Sequence, residues 1–251
     1  MNLKTFYIDQ NIEYQELFLN SKIIQKCYLL RNRGHDPFIT IPDGCVDIQF
    51  LFGAGSSRAC ISSSVEQPHI SYNADRDWIF GVKLNPGIFP NAVHRENQML
   101  DKHFSLEEEM EVEKILTRLE REDNLENMAE IVEHIIANIS YTEQNPLITY
   151  PMKQIEEEKG CINLADLSEQ MHYSQHYVNQ EFKKATGFTL KKYAEIIRLQ
   201  CAITYLEKQK TDLIYEILGY YDQAHFIKDF KRFTLQTPKK CIKKRNEIRF
   251  A

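Results

Sequence analysis

The sequence predicts an α+β protein: an N-terminal β-barrel or sandwich, then a pair of helices, then an all-α domain with two helix-turn-helix units. Three observations carry this. Short segments rich in β-branched and aromatic residues fill the first hundred positions. Apolar residues recur at helical spacing from Ser105 onward. No strand pattern survives beyond Pro151.

The β-rich part is expected over residues 1–104. Its candidate strands are FITI (38–41), CVDIQFLF (45–52), HISY (69–72) and DWIFGVKL (77–84). Turn clusters separate them: Pro42-Asp43-Gly44, the run 53–57, and Asn85-Pro86-Gly87. Ser105 followed by Glu108 reads as a capping box. Two amphipathic helices follow within 105–145, carrying Leu106, Met110, Ile115, Leu116 and Leu119, and then Met128, Ile131, Val132, Ile135, Ile136 and Ile139. The second stripe must be covered by the sheet or by a second copy of the chain. Pro146 and Pro151 are read as bracketing a linker, 146–151. Residues 152–251 are expected to form helices at about 151–159, 163–171, 174–184, 189–207, 212–218, 222–233 and 238–245.

Composition narrows the function classes. The net charge of −5 is unevenly spread. Residues 152–251 hold 18 Lys and Arg against 13 Asp and Glu, whereas residues 1–151 hold 13 against 23. A basic domain on an acidic body suits a polyanionic partner. No apolar run reaches the ~18 residues of a membrane span, and the polar N-terminal stretch MNLKTFYIDQ does not read as a secretory signal. The expected compartment is the cytoplasm, with the six cysteines as free structural thiols; none stands in a Cys-x-x-Cys pair.

Two stretches of the helical half share one design. In LADLSEQMHYSQHYVNQEFKK a short helix ends near Met171 and Ser174 supplies an N-cap. Val178 and Phe182 then face inward, leaving Gln175, His176, Asn179, Gln180 and Lys183 outside. In DLIYEILGYYDQAHFIKDFKRF, Gly219 supplies the turn and Asp222 the N-cap. Phe226, Phe230 and Phe233 form the buried stripe, leaving Gln223, Ala224, His225, Lys228 and Lys231 outside. The two N-caps lie 48 residues apart. Asn and Gln can read adenine edges, His can donate to guanine acceptors, and Lys neutralises phosphates. A helix placed this way suits the major groove of duplex DNA. The helix expected over 189–207 spans ~28 Å at ~1.5 Å per residue, comparable with the ~34 Å of one duplex turn.

Residues 152–245 resemble the DNA-binding domain of the AraC/XylS family of bacterial transcription regulators. The resemblance runs through Leu167, Met171, Ser174, Phe182-Lys183, Gly187, Tyr193, Arg198, Ala202 and Leu206. It continues through Gly219-Tyr220, Asp222-Gln223, His225-Phe226, Phe230-Lys231, Phe233 and Pro238. Ser168 and Tyr215 stand where the family usually has Ala, and Leu235 where it usually has Gly; the segment between Leu206 and Gly219 is short. These departures predict a fifth helix that is shifted or repacked. Pro42 through Asp47, with Phe80 through Leu84 and Pro86-Gly87, resembles the cupin-like sensor domain of a subset of these regulators. That implies a β-barrel able to take a small effector and to help dimerisation.

The function expected is therefore sequence-specific DNA-binding transcription regulation, with no cofactor and no catalysis. The DNA-facing set is Gln175, His176, Asn179, Gln180, Lys183, Gln223, His225, Lys228 and Lys231. Tyr28, Phe50, Trp78, Arg76 and Lys83 are the effector candidates, suited to a mostly apolar ligand with one anionic group. Partners expected are double-stranded DNA, a small effector, a second copy of the chain and RNA polymerase, with no membrane. Two alternatives remain open. A cupin-type metalloenzyme would want a His-x-His pair, whereas His35, His69, His94 and His103 are isolated. Asp43 and Asp47 could be paired acids, although Pro-Asp-Gly is also a plain turn. A protein-binding adaptor would lack salt-dependent DNA binding.

Overall fold

A computed structural model describes residues 2–7, 12–53, 55–91, 93, 100–106, 112–136, 139–142, 145–208 and 213–240. Among the described residues nine strands come first: β1 (Phe6–Tyr7), β2 (Glu13–Phe18), β3 (Ile24–Arg31), β4 (Ile39–Thr40), β5 (Asp47–Phe52), β6 (Arg58–Ser62), β7 (His69–Ile70), β8 (Trp78–Leu84) and β9 (His103–Ser105). They form two antiparallel sheets, β1-β4-β7 and β2-β3-β8-β5-β6-β9. Among the described residues neither sheet closes into a barrel, so of the two forms expected the arrangement is the sandwich. The central strands β3, β8 and β5 are buried on both faces. One face meets the small sheet through Phe6, Tyr28, Phe38, Leu51 and Ile79. The other meets the helices through Leu29, Ile48, Phe50, Phe80 and Val82.

The helices are α1 (Val112–Leu119), α2 (Leu125–Ile136), α3 (Pro146–Glu157), α4 (Leu164–Gln170), α5 (Gln175–Thr186), α6 (Leu190–Glu207), α7 (Ile214–Ile217) and α8 (Gln223–Thr234). Among the described residues, no helix is long and apolar enough to cross a membrane. Helix α2 lies on β2 and β3 and against α1. Its Met128, Val132 and Ile136 are buried there, with Ile139 just beyond and Ile131 packed at the edge. Of the two covers expected for this stripe, the sheet supplies one within the chain.

Three expectations need correction. Ser105 ends strand β9, paired opposite Cys60, and does not open a helix; Glu108 and Met110 lie outside the described residues. The stretch 146–151 is not a linker but the start of α3. Pro146 occupies the first helical position, where its missing N–H costs nothing, and Asn145 caps it by accepting from the Leu147 N–H at 2.9 Å. Pro151 sits inside the helix and is buried, which offsets its lost hydrogen bond with packing. Helix α7 is shorter than the 212–218 expected; it starts after Leu213, whose backbone is left-handed and gives no side-chain cap. The last expected helix, 238–245, falls mostly outside the described residues, as does Cys241.

Both halves share one continuous core, from Leu3, Ile24 and Phe50 to Phe182, Tyr193 and Phe230. Helix α3 packs on α5 and α6. The N-terminal domain docks on α6 through backbone groups. Gln200, fully buried, donates to the carbonyls of Lys4 (3.0 Å) and Pro42 (2.8 Å), and its Oε1 accepts from the Lys4 N–H at 2.8 Å. Gly44 allows the close approach: a Cβ there would stand 2.5 Å from the Tyr193 ring. The Tyr193 hydroxyl donates to Glu156 at 3.0 Å.

Beneath this docking turn lies a buried ion cluster. Lys83 pairs with Asp43 and, at 3.0 Å, with Asp47; all three side chains are shut off from solvent. Thr5 donates to Asp47 at 2.7 Å, and the Tyr28 hydroxyl donates to it at 3.0 Å. Burial works to lower the affinity of Lys83 for its proton, but Asp43 and Asp47 outweigh it and raise its pKa. Burial and then the Asp43 charge lift Asp47 above the usual carboxylate range, against the pull of Lys83 and Thr5. Asp43 also accepts from the Cys45 N–H at 3.0 Å, so it is the turn residue the sequence suggested. Lys26, opposite Lys83 in the β3–β8 register, is buried with Glu16 (2.9 Å) and Asn2 (2.8 Å) instead. Replacing Lys83 with Met leaves two buried acids without their cation. It is expected to cost ~3–5 kcal/mol, read as a lowered urea midpoint of the full chain.

Candidate nucleic-acid interface

The two helix-turn-helix units repeat down to single hydrogen bonds. Ser174 and Asp222 each cap their helix by accepting from the third following N–H, that of Tyr177 (3.2 Å) and that of His225 (2.7 Å). Four and eight residues on, Val178 and Phe182 match Phe226 and Phe230, all buried. Thr186 and Thr234 then donate to the carbonyls of Phe182 (2.8 Å) and Phe230 (2.7 Å). Each threonine oxygen also accepts from the N–H two residues later, that of Phe188 and that of Gln236. Both helices end on a left-handed residue, Gly187 (φ 81°) and Leu235 (φ 58°).

The turns differ by one residue. His172 and Gly219 hold the left-handed positions, and the following N–H groups, of Tyr173 and Tyr220, reach back to Ser168 and Tyr215. Tyr173 then leads straight to Ser174, whereas Tyr221 intervenes before Asp222. The tight pairs therefore repeat at 47 residues and the outward helices at 48. Ser168, at one of the positions usually Ala, is buried and turns its hydroxyl onto the Leu164 carbonyl at 2.9 Å. Tyr215, at the other, is half-buried against the core. Between the units, the 18 residues of α6 span ~27 Å at ~1.5 Å per residue.

The outward faces follow from this repeat. On α5, Gln175, His176, Gln180 and Lys183 are exposed as the sequence placed them. Asn179 is not free in the same way. It is half-buried, and its Oδ1 accepts from the Leu190 N–H at 3.0 Å, bracing the start of α6. The Oδ1 keeps a second lone pair and the –NH2 stays available, so Asn179 braces α6 while remaining among the DNA-facing candidates. On α8, Gln223, His225, Lys228 and Lys231 are exposed. The His225 ring lies edge-on to Tyr220 and 3.7 Å from Asp229. The residue-type reading passed over Tyr177, Lys184 and Arg232, which share these outward faces. Helical spacing was the available signal: Tyr177, Gln180 and Lys184 stand three and four apart. Arg232 is partly engaged, pairing with Glu195 at 2.9 Å.

Residues 167–244 match a family model described as a helix-turn-helix domain. These residues are an AraC-type helix-turn-helix domain, which supports DNA binding. Among solved structures, ToxT from Vibrio cholerae in its P21 form is 10% identical, over 96% of this chain and 99% of that one, with a TM-score of 0.51. At that identity the likeness is one of fold alone, and it runs over both halves of the chain. A ToxT structure with bound unsaturated fatty acid is 9% identical, over 96% of each chain, at 0.44. The C-terminal domain of AraT, a response regulator from Geobacillus stearothermophilus, is 20% identical over 41% of this chain and 88% of that one, at 0.38. No curated protein sequence matches the chain significantly.

The five effector candidates do not form one site. Tyr28 and Phe50 project from opposite faces of the large sheet into different cores. Lys83 is spent on Asp43 and Asp47. Arg76 donates to the carbonyls of Gly53 (2.8 Å) and Ser56 (2.6 Å), tying a turn. Trp78 stacks on Phe52 with ring centroids 3.6 Å apart. A cavity of about 100 Å³ opens elsewhere, between the small sheet and the β6–β9 end of the large one, and none of the five lines it. Among the described residues, no three His, Cys, Asp or Glu side chains gather as a metal set.

Leu235 holds a backbone conformation that costs an L-residue ~1–2 kcal/mol, where its counterpart is Gly187. Leu235→Gly is therefore expected to stabilise the protein by about 0.5–1 kcal/mol after the added freedom of the unfolded glycine is offset. The measurement is the urea midpoint, and a lower midpoint would show that the half-exposed Leu235 side chain contributes more than its backbone costs.

Proposed function

We propose that this AraC-type regulator binds duplex DNA with two unlike helices, α5 specifying bases and α8 anchoring the backbone. The 48-residue repeat of capped, outward-facing helices carries the reading. Equivalent positions differ in chemistry. Gln180 on α5 corresponds to Lys228 on α8, and Tyr177 corresponds to His225. The α5 face offers Gln175, His176, Tyr177 and Gln180, groups that distinguish base edges, ahead of Lys183 and Lys184. The α8 face offers Lys228, Lys231 and Arg232, groups suited to phosphates, with Gln223 and His225 at its start. Helix α6 sets the separation, and the N-terminal domain, gripped by Gln200, acts as the sensor that biases how α6 presents the pair.

On this reading the protein works in the cytoplasm and is not an enzyme. A second copy, or RNA polymerase, would meet surfaces other than the stripe of α2, whose Val132 and Ile136 are already covered.

The test uses the full chain and a duplex it selects from a random library. Gln180→Ala should weaken the selected duplex by ~1–3 kcal/mol and relax base preference. Lys228→Ala should weaken all duplexes alike and lower the slope of log K against log salt by about one. Retained base preference in Gln180→Ala together with lost preference in Lys228→Ala would invert the assignment. Salt-independent binding, or none, would favour the protein-binding adaptor.

A further inference from the structure

The cavity beside β6 and β9 has the lining of a binding site for a small polar anion. Its floor holds the buried amides of Gln49 and Asn73. Its walls carry the hydroxyls of Thr40 and Ser62, which have no hydrogen-bond partner among the described residues. Its mouth carries Lys102, His69 and His103 against a single carboxylate, Asp101, which already accepts from the Glu66 N–H at 3.2 Å. Burial, then the charges of Arg58 and His69, hold His103 below the ordinary imidazole range, so it enters the mouth as a neutral hydrogen-bonding group and Lys102 supplies the charge. A water takes ~10–15 Å³ by this measure of space, so about 100 Å³ holds roughly seven waters or a molecule of about six to ten heavy atoms. A long apolar chain neither fits nor satisfies these amides and hydroxyls.

The floor is also wired to the docking contact. Asn73 donates to Gln49 (3.3 Å), Gln49 to the Tyr28 hydroxyl (3.1 Å), and Tyr28 to Asp47 (3.0 Å). Asp47 accepts as well from Thr5 (2.7 Å), whose neighbour Lys4 is held by Gln200 of α6.

We propose that this cavity binds a small polar metabolite bearing one carboxylate or phosphate, and that its occupancy is what the N-terminal domain senses. The assignment rests on reading that domain as the sensor of a DNA-binding protein. A ligand that engages Gln49 or Asn73 alters the donors at Asp47, and through Thr5 and Lys4 it reaches α6.

Malate and inorganic phosphate are the anionic probes, erythritol the neutral one and decanoate the apolar one, each titrated into the full chain by calorimetry. At least one anionic probe should bind with a dissociation constant of 10 mM or lower, at least tenfold tighter than erythritol or decanoate. Lys102→Glu, at the exposed mouth, should weaken it at least tenfold. Ser62→Leu, which fills the cavity, should abolish it; if that variant does not fold, Lys102→Glu decides. Saturating probe should change the affinity for the selected duplex at least threefold. No anion binding, unchanged affinity in Lys102→Glu, preference for decanoate, or unchanged DNA affinity with probe bound overturns the proposal. Salt-sensitive DNA binding by the same preparation separates these failures from failure of the DNA-binding reading itself.

Discussion

The buried pairing of Lys83 with Asp43 and Asp47 is the constraint around which the structure is arranged. A lysine buried on a central strand of the sheet cannot stay charged without partners at contact distance. Asp47 supplies one from the adjacent strand β5, and Asp43 supplies the other from the preceding turn. Meeting both fixes the turn 42–44 in one conformation against the end of the sheet. That turn is also the surface presented to the helical half: Pro42 offers its carbonyl to Gln200, and Gly44 lets Tyr193 lie against the backbone. A solvation problem inside one domain thus determines how the two domains meet.

The helical half obeys a different logic. Its two outward helices owe their orientation to caps and stripes that repeat, and α6 joins them as a packed strut whose inner residues, among them Ile196, Ile197 and Ala202, are buried. Docking uses the strut and leaves the outward faces open. The extra Tyr221 in the second turn breaks the repeat at one place, so no single chain offset superposes both the tight pairs and the outward helices.

Much of this was legible in the sequence because the signals were local. The N-caps Ser174 and Asp222, the stripe Phe226, Phe230, Phe233, and the strands around Phe50 and Phe80 each follow from a short pattern. Strands β2 and β3 were passed over, since Glu16, Lys26 and Arg31 disguise them; Lys26 is buried only because Glu16 and Asn2 meet it from elsewhere. The start of α3, residues 146–151, reads as a linker because two prolines are ordinarily breakers, yet one sits at the permitted first position and the other is compensated by core contact. Asn179 and Lys83 show the same limit at the sites. A side chain's chemistry can be read from its type, but whether it is already committed depends on residues far along the chain. The cavity is the extreme case, since its floor and mouth come from segments between Gln49 and His103.

The grip of Gln200 has one further property. It holds the N–H and carbonyl of Lys4 and the carbonyl of Pro42, groups that every residue type provides at a carbonyl and nearly every type at an N–H. This part of the joint therefore recognises the path of the chain, while Gly44 against Tyr193 and the Lys4–Glu207 ion pair at 3.4 Å add contacts that depend on residue type. Mutational drift away from these residues, including changes that alter what the interior of the N-terminal domain accepts, leaves the Gln200 grip in place. Such a joint leaves one module free to evolve new inputs while the other keeps its output.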